Sequence, residues 1–407
     1  MLNYQEALDI VLQTVQPLAA REVDLSQALG RVLAESVQAR WNLPPSDNSA
    51  MDGFAFCLAD QSAGARLPVA GFIPAGASRQ EPVPHGAAVK IMTGAPLPPD
   101  CDTVVPNEEV EQRDDSIVLR TSPSRGQHVR LAGEEIRRSE ILLEAGTPVL
   151  SGEMGLLAAG GADRVRVIPA PRVALLSTGD ELVELGQQPG PGQIVNSNTY
   201  LLSARLREEG CEVIPLGIAR DTSEDLAIQL ARGLEADLLI TTGGVSAGDR
   251  DYVQETLGRF GFSCGFWKVA IKPGKPVLFG TAQGKPVFGL PGNPAASGAT
   301  FELFVRPALR RLAGFRDPLP PRLRVTLGGA ISGGEKRQRF VWGTLKEAAG
   351  RYEFIPSDRQ GSGQNRSMQG AQALLPVPGG SPPLEAGAET DVLLMRLPPG
   401  LAWPVPT

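Results

Sequence analysis

The chain has 407 residues, of which 42% are hydrophobic and 21% charged, and its formal net charge is −6 at pH 7. A chain of this length is too long for one hydrophobic core and suggests two to four domains. The acidic balance comes without a long basic run, which argues against a general role in binding nucleic acid or a membrane surface.

Cysteine and histidine usage indicates the chemical class of the protein. The four cysteines are widely spaced without a CxxC pair, and there are only two histidines. This pattern disfavours a zinc site and predicts a reduced, cytoplasmic protein whose cysteines act as small hydrophobic residues. The first residues have an amphipathic helix pattern without a basic leader, and no apolar run approaches the ~20 residues of a membrane span.

The first 170 residues show helical patterns on either side of a β-rich segment. Apolar spacing predicts a helix over residues 4–17 and a second helix over 24–37 (DLSQALGRVLAESV). From about 44 to 145, short apolar runs alternate with glycine and proline turns, which is typical of β-structure. Residues 153–162 again predict a helix, which we expect to pack against the first two.

From residue 171 to about 315, strand and helix patterns alternate. Predicted helices cover residues 197–210, 222–236, 252–260 and 295–313, with apolar strand runs between them. This βαβ order predicts a doubly wound, mostly parallel sheet, which binds ligands beyond the carboxyl ends of its strands. After residues 317–321 (DPLPP) the pattern returns to short strands and predicts a small C-terminal β-domain.

Three glycine-containing loops follow predicted strands of the α/β segment: STGDEL (177–182), TTGGVSAGDRDY (241–252) and GLPGNPAASG (289–298). Glycine lets a backbone approach a ligand closely, and amides at a helix N-terminus favour anions. Each loop alone is compatible with an ordinary turn. Because all three are expected at one edge of one sheet, together they predict an anion site.

Acidic residues accompany these loops. Asp180, Glu181, Asp221, Asp249 and Asp251 follow strands whose ends should converge. Asp180 and Asp221 are also compatible with simple helix capping. Clustered carboxylates repel one another, and Mg²⁺ would relieve that repulsion while bridging to phosphate oxygens. We therefore predict a magnesium site here.

Lysines supply the opposite charge. Lys268, Lys272 and Lys275 lie within or beside the turn IKPGKP (271–276), and Lys272 is the stronger candidate for a fixed anion contact. A solvated surface role stays open for the others. In the β-rich segment, Asp52 precedes a glycine, and spacing alone favours a plain turn. No Ser-His-Asp arrangement is evident, because neither histidine accompanies a nucleophile motif.

Ten motifs occur in the order found in one family: SAMDGFA, IMTGAPLP, CDTVVPNEE, VRLAGEEI, LLSTGDEL, IVNSNTYLL, TTGGVSAGDRDYV, FWKVAIKPGKP, GLPGNPAAS and QGSGQNRSM. The chain resembles the bacterial molybdopterin molybdenumtransferases, the MoeA family, and is similar to the E domain of gephyrin. The resemblance covers nearly the whole chain.

The resemblance implies a reaction and an architecture. Family members insert molybdenum from molybdate into adenylylated molybdopterin, release AMP and use Mg²⁺. They form elongated homodimers whose active site is shared between subunits, and the molybdopterin adenylyltransferase is a further candidate partner. The implied domains are a discontinuous helical domain I (1–44 and 146–170), a β-rich domain II (45–145), an α/β domain III (171–318) and a C-terminal β-barrel domain IV (319–407).

The motifs also assign site residues. Those predicted to be catalytic are Asp52, Glu181, Asp221, Asp251, Lys268 and Lys272. Glu181, Asp221 and Asp251 are the predicted metal ligands. The predicted substrate-binding residues are Thr93, Arg130, Glu135, Thr178, Gly179, Asp180, Ser197, Thr242, Gly243, Gly244, Val245, Ser246, Pro291, Gly292, Asn293, Pro294, Arg337 and Ser362. By the resemblance, Asp52, Thr93 and Arg130 come from the second subunit.

Two positions depart from the family pattern. Glu135 stands where the family usually has Asp in GEDI, and Trp342 stands where an arginine is common. Two other functions also stay open at this point. A pterin adenylyltransferase of the MogA/MoaB type has a similar α/β domain but would not need the flanking β-domains. A scaffold protein, a role that gephyrin also has, would need no catalysis.

Overall fold

The computed structural model describes residues 1–58, 61–244, 252–348 and 350–397. Contacts divide the chain into two compact units. The larger unit comprises Met1–Arg21, Gly30–Val32 and Ile168–Thr407, and the smaller unit comprises Glu22–Leu29 and Leu33–Val167. The finer division into four domains stays a prediction.

The smaller unit is built mainly from β-strands, as predicted for residues 44–145. Six strands form a mixed sheet, in the spatial order Thr103–Pro106, Gly53–Phe56, Ala88–Ile91, Arg66–Ile73, Ser116–Leu119 and Val110–Arg113. Phe54 and Phe56 enter one hydrophobic cluster, whereas Ala55 enters another on the opposite face. This alternation is the period of two that is typical of a β-strand.

Shorter elements complete this part of the chain. The short strands are Arg21–Asp24, Val32–Leu33, Val37–Gln38, Asn48–Ser49, Val129–Arg130, Ile141–Leu143 and Arg164–Ile168. The 3-10 turns are Leu25–Gln27 and Asn107–Glu109. The helix predicted over 153–162 is present as Ser151–Ala159.

The second predicted helix, over residues 24–37, is wrong. That segment holds a 3-10 turn and two short strands instead. The amide of Leu25 donates to the carbonyl of Asp163 at 2.9 Å, and the amide of Leu33 donates to Thr147 at 3.0 Å. Bonds between segments more than a hundred residues apart therefore override the local helical spacing, since propensity is a weak prior.

The larger unit contains the doubly wound sheet that the βαβ order predicted. Its six strands lie in the order Glu212–Ala219, Arg172–Thr178, Leu238–Thr242, Lys285–Leu290, Leu278–Ala282 and Ser263–Trp267. The first four are parallel and the last two join antiparallel at one edge. The carboxyl ends of the parallel strands therefore meet at one edge of the sheet.

Helices cover both faces of this sheet. They are Tyr4–Thr14, Ser197–Glu208, Ser223–Gly233, Tyr252–Gly258, Pro294–Thr300 and Arg306–Leu312. Leu8 and Leu202 belong to the hydrophobic cluster on one face, and Leu226 and Leu257 to the cluster on the other. Thr222 caps the helix Ser223–Gly233, because its hydroxyl accepts from the amide of Asp225 at 3.4 Å.

The helix predicted over 295–313 is interrupted by a π-helical segment, Phe301–Val305. The two short parallel strands Leu182–Val183 and Ile194–Val195 pair beside the sheet. None of the helices in the described parts of the chain is long and apolar enough to cross a membrane.

The C-terminal part of the larger unit forms a closed five-stranded barrel. Its strands are Arg322–Leu327, Gln338–Ala348, Arg351–Pro356, Ala373–Val377 and Glu389–Leu394. Antiparallel pairing of Arg339–Gly343 with Ala373–Val377 closes the ring. Closure leaves no free sheet edge within the ring. A short strand of the α/β part, Ile271–Lys272, adds in parallel to Gln338–Arg339.

Candidate functional site

A cavity of about 540 Å³ lies at the carboxyl end of the parallel strands of the larger unit. Ten residues predicted to be functional line it: Thr178, Glu181, Ser197, Thr242, Gly243, Gly244, Pro291, Gly292, Asn293 and Pro294. They come from the three glycine-containing loops and from the start of helix Ser197–Glu208. The structure therefore brings together three loops, the first and last of which are more than a hundred residues apart in sequence.

Buried hydroxyl groups form hydrogen bonds directly behind the lining of this cavity. The Ser177 hydroxyl is fully buried and lies 3.0 Å from the hydroxyls of Thr199 and Thr242. It also donates to Oδ1 of Asn196 at 3.1 Å. Two strand ends and the start of helix Ser197–Glu208 therefore share one hydrogen-bond network, which fixes their relative positions.

Two loop positions require glycine. Gly243 has a φ of +86°, and a Cβ there would lie 2.4 Å from the carbonyl oxygen of Thr178. Gly179 has a φ of +143°, and a Cβ there would lie 2.5 Å from Oε2 of Glu181. Any larger residue would strain the backbone and push apart the groups that line the cavity.

Seven further lining residues were not predicted: Leu182, Ile194, Val195, Asn198, Pro276, Gly363 and Asn365. Asn198 is buried, and its amide nitrogen donates to the carbonyl of Gly292 at 2.8 Å. Its Oδ1 is a buried atom without a hydrogen-bond partner. Asn198 could have been predicted because it directly follows Ser197, a predicted site residue. Gly363 and Asn365 could have been predicted because they lie in the motif QGSGQNRSM.

The structure describes three of the acidic residues that accompany the glycine-containing loops: Asp180, Glu181 and Asp221. Glu181 lines the cavity, and Oδ1 of Asp180 accepts from the backbone amide of Asp221 at 3.3 Å. Asp251, Val245 and Ser246 lie outside the described residues. Within the described parts of the chain, no group of three or more potential ligand residues is close enough to hold a metal ion. The magnesium site stays a prediction.

The two predicted lysines have definite partners outside the cavity lining. Nζ of Lys268 lies 3.5 Å from the centroid of the Trp267 ring, which is a cation–π arrangement. Nζ of Lys272 contacts Oε1 of Glu335 at 2.6 Å. Lys268 also has a φ of +68°, which is uncommon for a residue with a long side chain.

The C-terminal part of the chain contacts the rim of the cavity. The carbonyl oxygen of Ser362 accepts from the amides of Ala295 and Ala296 at 2.9 and 3.2 Å. Its hydroxyl accepts from Nδ2 of Asn293 at 3.4 Å. Arg337 donates to the carbonyl of Ile271 at 3.2 Å. The predicted residues Ser362 and Arg337 therefore hold the loops that surround the cavity.

The remaining predicted residues belong to the smaller unit. Oδ1 of Asp52 accepts from both the amide and the hydroxyl of Thr93, each at 2.7 Å. These two bonds, the hydroxyl bond first, hold the pKa of Asp52 below its ordinary value. Arg130 is exposed on the short strand opposite Asn48. Glu135 is also exposed, and its amide donates to Leu43 at 3.0 Å.

Replacing Thr93 by valine should raise the pKa of Asp52 toward its ordinary value of 3.8, because the stronger of the two bonds is lost. A depressed pKa contributes stability above the unfolded pKa, and this contribution is lost as pH falls through the folded pKa. The valine variant should therefore lose less stability on acidification. NMR titration of the carboxyl carbons measures the pKa. Thr121→Val is the control, and an unchanged Asp52 pKa in Thr93→Val would contradict the assignment.

The cysteines behave as small hydrophobic residues where they are buried. Burial raises the pKa of the Cys101 thiol and that of the Cys211 thiol to about 12. Both therefore keep their protons at neutral pH and are poor nucleophiles.

The fold and this cavity define a class: a protein with a doubly wound α/β sheet, a glycine-lined polar cavity at the edge where its parallel strands end, and additional β-domains. Comparison with known families identifies the class more closely. Residues 2–161 match the MoeA N-terminal region (domain I and II). Residues 174–311 match a probable molybdopterin binding domain, and residues 324–395 match the MoeA C-terminal region (domain IV).

Similar proteins agree with this match. The molybdopterin molybdenumtransferase of Nostoc sp. is 36% identical over 98% of this chain and 94% of its own length. Molybdopterin molybdenumtransferase 2 of Mycobacterium tuberculosis is 35% identical over 96% and 99%. The solved molybdopterin biosynthesis MoeA protein of Pyrococcus horikoshii is 28% identical, covers 97% of this chain and 100% of its own, and superposes with a TM-score of 0.83. The chain belongs to the MoeA family and is an enzyme of the transferase class.

Proposed function

We propose that this enzyme inserts molybdenum from molybdate into adenylylated molybdopterin and releases AMP, a step of molybdenum cofactor biosynthesis. The observation that carries the proposal is the cavity of about 540 Å³, lined by glycines, hydroxyl groups and Glu181. The names of the relatives support it, as does the match of residues 174–311 to a probable molybdopterin binding domain.

The chemistry of the lining suits such a substrate. The volume lies within the roughly 300–1,000 Å³ of small-molecule sites. Leu182 and Ile194 offer an apolar surface for a flat pterin ring. The Ser197 hydroxyl accepts from Nδ2 of Asn365 and can donate its own proton to a phosphate oxygen. The buried Oδ1 of Asn198 can accept a hydrogen bond from a ring N–H after a small side-chain movement.

Electrostatics explain the basic residues in the proposal. Molybdate is a dianion and the pterin substrate carries phosphates, so bringing them together costs several kcal/mol in unscreened Coulomb terms. Lys268, Lys272 and Arg337 would offset this repulsion. Ser362 would contribute a hydroxyl donor from the C-terminal side.

Mg²⁺ is the proposed cation, held by Glu181, Asp221 and Asp251. Their oxygen-only donor set suits this hard ion. Glu181 lines the cavity, and Asp221 is a close neighbour of Asp180. When bound, the ion would polarise the phosphoanhydride that is cleaved. The protein itself would orient the anhydride through the hydroxyls and glycine amides of the loops.

A homodimer with a shared site completes the proposal. Asp52, Thr93 and Arg130 would come from the second subunit. The two bonds from Thr93 keep the Asp52 carboxylate ionised, which suits a role beside a cation or a hydrogen-bond donor. The molybdopterin adenylyltransferase would supply the substrate, and the cytoplasm is the proposed location. Nucleic acid and membranes have no part.

The test is AMP release from adenylylated molybdopterin, measured with and without molybdate and Mg²⁺. We expect release that depends on both. AMP transfer from ATP to unadenylylated molybdopterin would instead support an adenylyltransferase. Binding of a receptor peptide with no molybdate-dependent activity would support a scaffold.

A further inference from the structure

The proposed anion-binding lysine is already paired with a carboxylate of the same chain. Nζ of Lys272 lies 2.6 Å from Oε1 of Glu335, and the two side chains are 44% and 57% exposed. Such exposed ion pairs are weak, because water screens the attraction and both side chains lose freedom. An incoming anion can therefore displace Glu335.

The backbone brings Glu335 to this position. The segment before it packs closely on the turn 378–381, since a Cβ on Gly334 would lie 1.8 Å from the carbonyl oxygen of Pro378. The amide of Gly380 donates to the carbonyl of Glu335 at 2.8 Å. The strand that carries Lys272 pairs with Gln338–Arg339, only three residues further along. Two backbone interactions therefore place Glu335 beside Lys272: the bond from Gly380 and the pairing of the two strands.

The surroundings of Glu335 are cationic. The hydrogen bond and charge of Lys272, followed by the charges of Arg339 and Arg337, hold the pKa of Glu335 below its ordinary value. Arg337 donates to the carbonyl of Ile271, and Arg339 donates to the hydroxyl of Ser332 at 2.6 Å. Both arginines thus bond neutral oxygens, and their charge is available to an anion.

We propose that Glu335 is an internal competitor of the substrate oxyanion for Lys272. The carboxylate accepts the ammonium's hydrogen bond in the free enzyme, and it must release Lys272 before a tetrahedral dianion can bind there. Glu335 therefore sets the oxyanion affinity of this site. This inference rests on the proposed role of Lys272.

The test is direct binding of molybdate to the full chain by isothermal titration calorimetry at low ionic strength. Glu335→Gln removes the competing charge, and we expect about three- to tenfold tighter binding, less at high salt. Glu389→Gln is the matched control, because Glu389 pairs with Arg324 and Arg351 on the same barrel and the net charge changes equally. We expect this control to bind as wild type. Unchanged or weaker binding by Glu335→Gln would overturn the inference.

Lys272→Gln separates this inference from the proposed function. We expect it to weaken molybdate binding about tenfold or more, and Glu335→Gln added to it should give no further gain. Wild-type affinity in Lys272→Gln would overturn the proposed role of Lys272 and the inference with it. A loss in Lys272→Gln without a gain in Glu335→Gln overturns the inference alone. An equal gain with and without Lys272 would indicate general charge repulsion and overturn it as well.

Discussion

Glu181→Gln is expected to lower the rate of AMP release by about 10²–10³-fold, because the variant loses one proposed ligand of the cation and single groups that stabilise transition-state charge contribute in this range. Glu181 lines the cavity and is the acidic residue that the strand Arg172–Thr178 delivers there. Glutamine keeps the volume of the side chain but removes its charge. The fold should stay intact, because the side chain is exposed and its backbone carbonyl still accepts from Ile194.

A control three residues further along the chain makes this prediction specific. Glu184 is exposed and is not among the residues that line the cavity, so Glu184→Gln makes the same change of charge nearby. We expect its AMP release to stay within about twofold of wild type, as for surface substitutions generally. Wild-type turnover in Glu181→Gln, with both variants folded by circular dichroism, would refute the catalytic role of Glu181.

Arg205→Met is expected to lower the free energy of unfolding by several kcal/mol. Arg205 and Glu302 are 5% and 6% exposed, and Nε of Arg205 lies 2.7 Å from Oε1 of Glu302. Arg205 also pairs with Glu208 and Glu209. Glu302 then keeps only Arg306, whose Nη1 lies 3.4 Å from its Oε2. Breaking a buried ion pair costs about 3–5 kcal/mol, and we expect a loss near the lower end of that range because this second partner stays. Urea unfolding followed by far-ultraviolet circular dichroism measures the loss.

Two further variants show whether the buried charge is responsible. Arg207 lies on the same helix but is exposed, so Arg207→Met should change stability by less than about 0.5 kcal/mol. Adding Glu302→Gln to Arg205→Met removes the buried carboxylate that has lost its nearer partner and should recover part of the loss. A loss below about 1 kcal/mol in Arg205→Met would show that the network does not stabilise the fold.

Some of the site could be predicted because it follows from local order along the chain. Thr178 and Thr242 are the last residues of their strands and Pro291 directly follows one, and parallel strands end at one edge of a sheet. The glycines at 179 and 243 were visible as loop residues, and their positive φ angles agree with that pattern. The helices predicted over 4–17 and 222–236 are present as Tyr4–Thr14 and Ser223–Gly233 for the same reason, since their apolar spacing and capping are local.

Other features depend on residues that are far apart in sequence. The ion pair of Lys272 with Glu335 and that of Arg205 with Glu302 join segments more than sixty residues apart. The π-helical turn Phe301–Val305, which carries Glu302, interrupts a run that spacing predicts as one regular helix. Residues 24–37 form strands through bonds to distant carbonyls, against their helical spacing. No local pattern contains this information.

The amino-acid sequence therefore determined the class of fold, the order of the elements and the loops at the strand ends, because periodicity, glycine and capping act over a few residues. Only the tertiary structure decided which groups meet: Asn198 with Gly292, Ser362 with the start of helix Pro294–Thr300, and Lys272 with Glu335. The physical reason is that hydrogen bonds and ion pairs act over about 3 Å. The folded backbone alone sets which residues come within that distance.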